Sequence, residues 1–157
     1  MSIFIFGYGS LIKDIQTNKK VYPVKVHGLK RAFNVRTKDA AHKILGVKKN
    51  ARQWCNGVIF KVNAKELSQI IRREKHYTPE LLEPSQISFA YQPSLLVLKP
   101  ADQIIYFLPQ GIHRLSRKQA AALPIKPGYL NKCLTGAAGI NEAFLQDFLT
   151  TTEDIAY

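Results

Sequence analysis

The sequence predicts an α+β fold, a small, mixed, partly closed β-barrel flanked by helices. Short β-type runs occupy the chain as far as about residue 108, and helical composition occupies the last third from about Arg117. The two never alternate as regular βαβ units do, which argues against a parallel α/β sheet. With 157 residues, 46% hydrophobic and 22% charged, the chain fits one domain, 1–157, that buries a core without staples. No linker, low-complexity run or internal repeat divides it.

Ile3–Phe6 reads as a buried first strand, ended by Gly7-Tyr8-Gly9-Ser10. Four short runs follow, around Val24–Val26, Ala32–Val35, Ile44–Val47 and Val58–Val62, punctuated by Gly28, Thr37–Ala41 and Asn50–Asn56. In several of them apolar residues alternate with Lys or Arg, as in a sheet with one wet face. Asn63 with Glu66 three residues later is a capping-box signature. It opens a helix whose apolar stripe is Leu67, Ile70 and Ile71, and which must stop by Thr78-Pro79. Further strands are expected near Ile87–Ala90, Leu95–Leu98 and Ile104–Leu108. Phe144, Leu145 and Phe148 then fall at helical spacing.

The net charge is +12, and it is uneven. Between Lys13 and Arg52 twelve Lys and Arg stand against Asp14 and Asp39, a net of +10. Such asymmetry is compatible with a polyanion-binding surface. The cations are nevertheless scattered at strand-like spacing, so the expected reading is a solvated basic sheet face, without a nucleic-acid partner. Met1–Phe6 lacks the basic region and long apolar core of a signal peptide. No apolar stretch approaches the roughly 20 residues of a membrane span. Cys55 and Cys133 have no companion ligands, and His27, His42, His76 and His113 show no metal-ligand spacing. The expectation is a cytoplasmic protein with no metal and no cofactor.

Two features bear on chemistry. Helical spacing carries the stripe of Leu67, Ile70 and Ile71 on to Glu74, a carboxylate where an aliphatic side chain is expected. A carboxylate held there is desolvated, its pKa rises, and it suits general acid–base work. Periodicity alone does not separate this from a helix that ends earlier and leaves Glu74 in solvent or paired with an arginine. The other feature is Gly7-Tyr8-Gly9-Ser10-Leu11 directly after a strand. Its glycines permit close backbone approach, and a turn of this kind can aim several N–H groups at one anion. It matches neither GxxxxGK[ST] nor GxGxxG, and as a bare pattern it is equally an ordinary strand-ending turn.

Together, Phe6-Gly7-Tyr8-Gly9-Ser10-Leu11 and Arg73-Glu74-Lys75-His76-Tyr77, the latter expected on a helix, resemble the γ-glutamylcyclotransferase superfamily. Leu11 after the serine resembles its ChaC-like branch; the other large branch usually carries Asn there. Gly57-Val58-Ile59-Phe60, Tyr129–Leu134 with Gly136-Ala137, and Phe144–Leu149 with Thr150-Thr151 extend the resemblance along the whole chain. It implies that the backbone amides of Tyr8, Gly9, Ser10 and Leu11 cradle a γ-glutamyl group and that Glu74 is the acid–base residue. Tyr77 and Tyr129 fall at family tyrosine positions. Each either hydrogen-bonds the substrate or orients Glu74, or is a core aromatic with a satisfied hydroxyl.

The implied reaction is cofactor-free. The substrate's α-amine attacks its own γ-carbonyl, closes 5-oxoproline and expels an amine, so the protein supplies proximity, proton transfer and oxyanion donors. The partner is then a small γ-glutamyl peptide, γ-glutamyl amine or glutathione. Two other classes remain open: a basic surface that binds nucleic acid or another polyanion on this fold, and a catalytically silent interaction module. The leaving group and the oligomeric state are not legible in the sequence.

Overall fold

The structure, a computed structural model, describes residues 1–155. Strand β1 (Ile3–Gly7) is apolar on both faces. Phe4 and Phe6 bury into one hydrophobic cluster and Ile5 into another, so the strand belongs inside a sheet covered on both sides. It pairs antiparallel with β3 (Lys43–Val62) and parallel with β6 (Gln103–Pro109). The other strands are β2 (Tyr22–Arg36), β4 (Tyr77–Leu82), β5 (Ile87–Ser88) and β7 (Thr152–Glu153). They form one mixed seven-stranded sheet in the order β4-β6-β1-β3-β2-β5, with β7 added beside β2. Five helices flank it: α1 (Leu11–Gln16), α2 (Ala64–Arg73), α3 (Arg117–Ala121), α4 (Tyr129–Ala138) and α5 (Glu142–Thr150). The α+β class with flanking helices is as expected; in place of the expected partly closed barrel the sheet is partly open, because β4 and β5 end the path without pairing to each other.

The four runs expected between Val21 and Val62 are the halves of two long strands. β2 and β3 form a hairpin closed by the Thr37–Ala41 turn. The expected break at Asn50–Asn56 is absent: β3 runs through it, and pairing steps from Leu29↔Lys49 to His27↔Trp54. This irregularity faces Gly28, whose φ of +95° favours glycine. Leu95–Leu98 is not a strand. Leu96 and Leu98 pack on the core while Leu95 and Val97 face out, the alternation of a strand without a ladder partner, between Pro93 and Pro100. Ile87–Ala90 contributes only the two residues of β5. The unexpected strand β4 contains Pro79, tolerated because β4 is an edge strand paired to β6 alone.

Helices α4 and α5 cover the face made by Phe33, Leu45 and Val58, burying Cys133, Ala137, Phe144 and Phe148. Leu67 and Ile70 of α2 lie on the opposite cluster around Phe60 and Phe107. Ile71, assigned to the same stripe by its spacing, is instead 41% exposed. Cys55 and Cys133 are both buried and free. Among the described residues no helix is long and apolar enough to cross a membrane.

The basic first third is partly compensated in space. Lys19 pairs with Glu66, Lys25 with Asp147, Lys48 with Glu153 and Lys49 with Glu80, each carboxylate coming from later in the chain. Arg31 departs from the expected wet face, because it is fully buried.

Candidate active site

The turn after β1, the C-terminal end of α2, the Ile44-Leu45 pair of β3 and the first residue of α4 meet around one pocket of about 170 Å³. All seven residues singled out from the sequence line it: Tyr8, Gly9, Ser10, Leu11, Glu74, Tyr77 and Tyr129.

The turn keeps its donors free. Gly9 and Ser10 use their carbonyls to accept from Ile12, Lys13 and Asp14, which starts α1. Among the described residues, the N–H groups of Gly9, Ser10 and Leu11 donate to no protein acceptor. Ser10 is the N-cap of α1, but its hydroxyl makes no capping bond. Three N–H donors and a hydroxyl are thus left for a ligand, as an oxyanion or carboxylate requires. Tyr8 contributes chiefly as wall, since its hydroxyl donates to the Phe107 carbonyl at 2.8 Å.

Gly9 sits where a side chain would fit tightly. A Cβ added there would lie 3.0 Å from the Tyr129 hydroxyl, which itself accepts the Leu45 N–H at 3.2 Å. Gly9→Ala therefore shifts the Tyr129 hydroxyl by a few tenths of an ångström, strains its bond to Leu45 and narrows the pocket. We expect it to lower kcat/KM for a pocket ligand by roughly tenfold, about 1.4 kcal/mol. Its melting temperature should change little, and parallel activity and melting measurements separate the two effects. Loss of activity that merely followed unfolding would make the turn structural.

Glu74 is not a mid-helix residue as its periodicity implies. Helix α2 starts at the expected capping box of Asn63 and Glu66 but ends at Arg73. Glu74 is its C-cap, with φ −97° and ψ 42°, and its N–H still donates to Ile70 at 2.9 Å. Its carbonyl accepts the Tyr77 N–H at 3.0 Å, so the chain reverses into β4, and Lys75, His76 and Tyr77 lie beyond the helix. The earlier end does not release the side chain to solvent. The carboxylate is half-buried in the pocket without a hydrogen-bond partner among the described residues, and desolvation raises its pKa against the opposing pull of Arg73. Such a group takes up a proton more readily than an ordinary glutamate.

The tyrosines differ. The Tyr77 hydroxyl has no hydrogen-bond partner among the described residues, and burial together with the Glu74 charge raises its pKa. It stays protonated at neutral pH and is available as a donor. Tyr129 is engaged: its hydroxyl takes the Leu45 N–H and lies by the Cys133 thiol, and burial raises its pKa first of all.

The residue that sequence reasoning missed is Arg31. Its Nε donates to the Tyr8 carbonyl at 2.7 Å, holding the turn from behind. Its Nη2 donates to the Asn56 side-chain oxygen at 2.8 Å and to the Asn56 carbonyl. Its Nη1 reaches the hydroxyls of Thr151 and Thr152, both at 3.1 Å, and the guanidinium lies 3.9 Å over the Phe148 ring. Burial lowers its pKa, but the charge is met by oxygen acceptors alone. In the sequence Arg31 shares the strand parity of Leu29 and Phe33, which both bury. That parity was the available signal.

The sequence matches no family model and no curated relative. Solved structures match at the level of fold. A protein described as a γ-glutamyl cyclotransferase superposes with TM-score 0.67 at 13% identity, over 100% of this chain and 92% of its own. A yeast γ-glutamyl cyclotransferase specific to glutathione gives TM-score 0.64 at 13% identity, covering 99% of both chains. YkqA from Bacillus subtilis gives 0.66 at 16% identity over 95% of this chain, which spans only 53% of YkqA. The chain has the γ-glutamylcyclotransferase-like fold.

Proposed function

We propose that this pocket cyclises a γ-glutamyl compound to 5-oxoproline and releases the free amine. The observation that carries the reading is one half-buried, unpaired carboxylate, Glu74, lining the same pocket as three unused backbone N–H groups. The N–H groups of Gly9, Ser10 and Leu11 bind the γ-carbonyl oxygen and hold the chain folded on itself, so the reacting atoms are already close. Glu74 takes a proton from the substrate's α-ammonium. The freed amine nitrogen forms a bond to the γ-carbon, and the amide C–N bond breaks as Glu74 returns its proton to the departing amine. The second proton shed by the ring nitrogen passes by the same carboxylate to that amine, which leaves as an ammonium. Atoms balance without a second reactant. Tyr77 donates its hydroxyl next to Glu74, and Arg31 positions the turn through Tyr8. Free, buried thiols at Cys55 and Cys133 accord with a reducing, cytoplasmic setting.

The test is incubation with a panel of γ-glutamyl peptides and amines, with 5-oxoproline read by mass spectrometry. The pH profile is a further prediction. Because Glu74 must be ionised to accept the proton and its pKa is raised, the acidic limb of kcat/KM should have its midpoint above the usual glutamate value of 4.5. An acidic limb at or below that value would remove Glu74 from the role of base.

A further inference from the structure

A second cavity of about 520 Å³ adjoins the catalytic pocket and shares Ile44, Glu74 and Tyr77 with it. Its volume is in the ordinary range of ligand clefts, roughly 300–1,000 Å³. Its walls are tied together. The hairpin end of β2 and β3 is bridged to Arg114 and Ile125, and the His76 carbonyl accepts the Gln110 N–H at 3.3 Å. Glu74 stands at the junction, so whatever leaves the γ-carbon is next to this cavity.

The lining is strongly cationic. Arg36, Lys38, Arg73 and Lys126 all face it, and none has an ion-pair partner among the described residues. This contrasts with Lys19, Lys25, Lys48 and Lys49 from the same basic region, each of which has found a carboxylate. The Nε of Arg36 is buried without a hydrogen-bond acceptor, so part of this guanidinium is desolvated and unpaired behind the wall. Two acidic residues line the cavity. Glu74 is assigned to the reaction. Asp39 is used within its own turn, accepting from the Thr37 hydroxyl at 2.5 Å and the Ala41 N–H at 3.0 Å. The His76–His113 pair, with ring centroids 3.8 Å apart, adds N–H donors, while His42 turns its Nδ1 to Asp39 at 3.6 Å. The surrounding positive charge is felt at His76, where desolvation, His113, Lys75 and Lys38 all lower the pKa.

We propose that this cavity is the leaving-group subsite and that the amine released carries two anionic oxygen groups, carboxylates or a phosphate. The proposal rests on the cyclotransferase reading and names its substrate class: a γ-glutamyl amide of an acidic amine. With Asp39 and Glu74 set against the four cations, a net of two positive charges remains, and one carboxylate leaves one of them uncompensated. A second anionic group uses the remaining positive charge, and the field draws such substrates in.

The test measures kcat/KM at low ionic strength for γ-glutamyl-glutamate, γ-glutamyl-O-phosphoserine, γ-glutamyl-alaninamide and γ-glutamyl-putrescine. The leaving groups of the glutamate and O-phosphoserine amides each carry two anionic groups, with about −2 and close to −3 charge at neutral pH. These two amides should exceed the alaninamide by about tenfold or more, mainly through KM, and the advantage should shrink as salt rises. Whichever of the two is faster identifies carboxylate or phosphate as the source. Lys38 and Lys126 are exposed, so Lys38→Gln with Lys126→Gln leaves the core intact. That double variant should bring the ratio of the acidic amides to the alaninamide down toward one. Equal or faster turnover of the alaninamide or the putrescine amide, or a ratio unchanged in the double variant, overturns the subsite while leaving the cyclotransferase reading in place. Absence of 5-oxoproline from all four compounds overturns that reading, and the subsite with it.

Discussion

Glu74→Gln should lower 5-oxoproline formation by roughly a hundredfold or more, the usual contribution of a positioned acid–base group. The amide keeps the shape of the side chain but neither accepts the ammonium proton nor returns it to the leaving amine. Folding should not suffer, and the direction of the Glu74 pKa shift says why. Its folded value lies above the usual 4.5, so between those two pKa values the folded state binds more protons than the unfolded chain. Stability therefore falls as pH rises through that window and is not regained above it. Gln carries no such charge. At neutral pH the variant should melt at or above the parent temperature, and the difference should fade as pH falls below 4.5. Calorimetry across this range checks the sign. Near-normal turnover in Glu74→Gln would remove the carboxylate from the chemistry.

Arg31 should give the largest stability effect. Six acceptor atoms, from Tyr8, Asn56, Phe148, Thr151 and Thr152, converge on its guanidinium. Arg31→Met fills much of the volume but removes the guanidinium donors. The Phe148 carbonyl keeps the Thr152 hydroxyl, and each remaining oxygen left without a donor costs about 1–3 kcal/mol where water does not reach it. A loss of about 3 kcal/mol or more is expected, which in a chain of this length lowers the melting temperature by roughly 6–12 °C. Arg31→Lys should recover only part of it, because a compact ammonium cannot fork at once to Asn56 of β3 and to Thr151 and Thr152 at β7. Since Nε also holds the Tyr8 carbonyl, the Lys variant should show a raised KM at temperatures where it is fully folded. If Arg31→Met melts within a degree or two of the parent, the buried network is not what joins the turn to the C-terminal segment.

What could be read from the sequence divides along physical lines. The start of α2 was legible because a capping box is local chemistry, and Asn63 and Glu66 bond as their spacing implies. Its end was not, because the reversal at Glu74 depends on β4 docking against β6, a contact about thirty residues away that Pro79 conceals. The hairpin was read as four pieces because Asn50–Asn56 carries turn-forming residues, whereas in space the strand continues: residues 50–53 bulge opposite Gly28, and Trp54, Cys55 and Asn56 pair with His27, Val26 and Lys25. Alternation of apolar and basic residues suggested one wet face, and it is right for Lys25 and Lys48 but not for Arg31, whose partners come from α5 and the residues after it. Short motifs placed the pocket residues together. They gave no sign of the adjoining cationic cavity, which is assembled from the hairpin end, the residues after α2, and the segments around His113 and Lys126.

The central claim is that the substrate supplies its own nucleophile and water takes no part. Turnover of a γ-glutamyl peptide in ¹⁸O-enriched water tests it most directly, with both products read by mass spectrometry. Cyclisation gives 5-oxoproline without solvent oxygen and the free amine in equal amount. Glutamate carrying one ¹⁸O atom would instead show hydrolysis by an activated water and contradict the account.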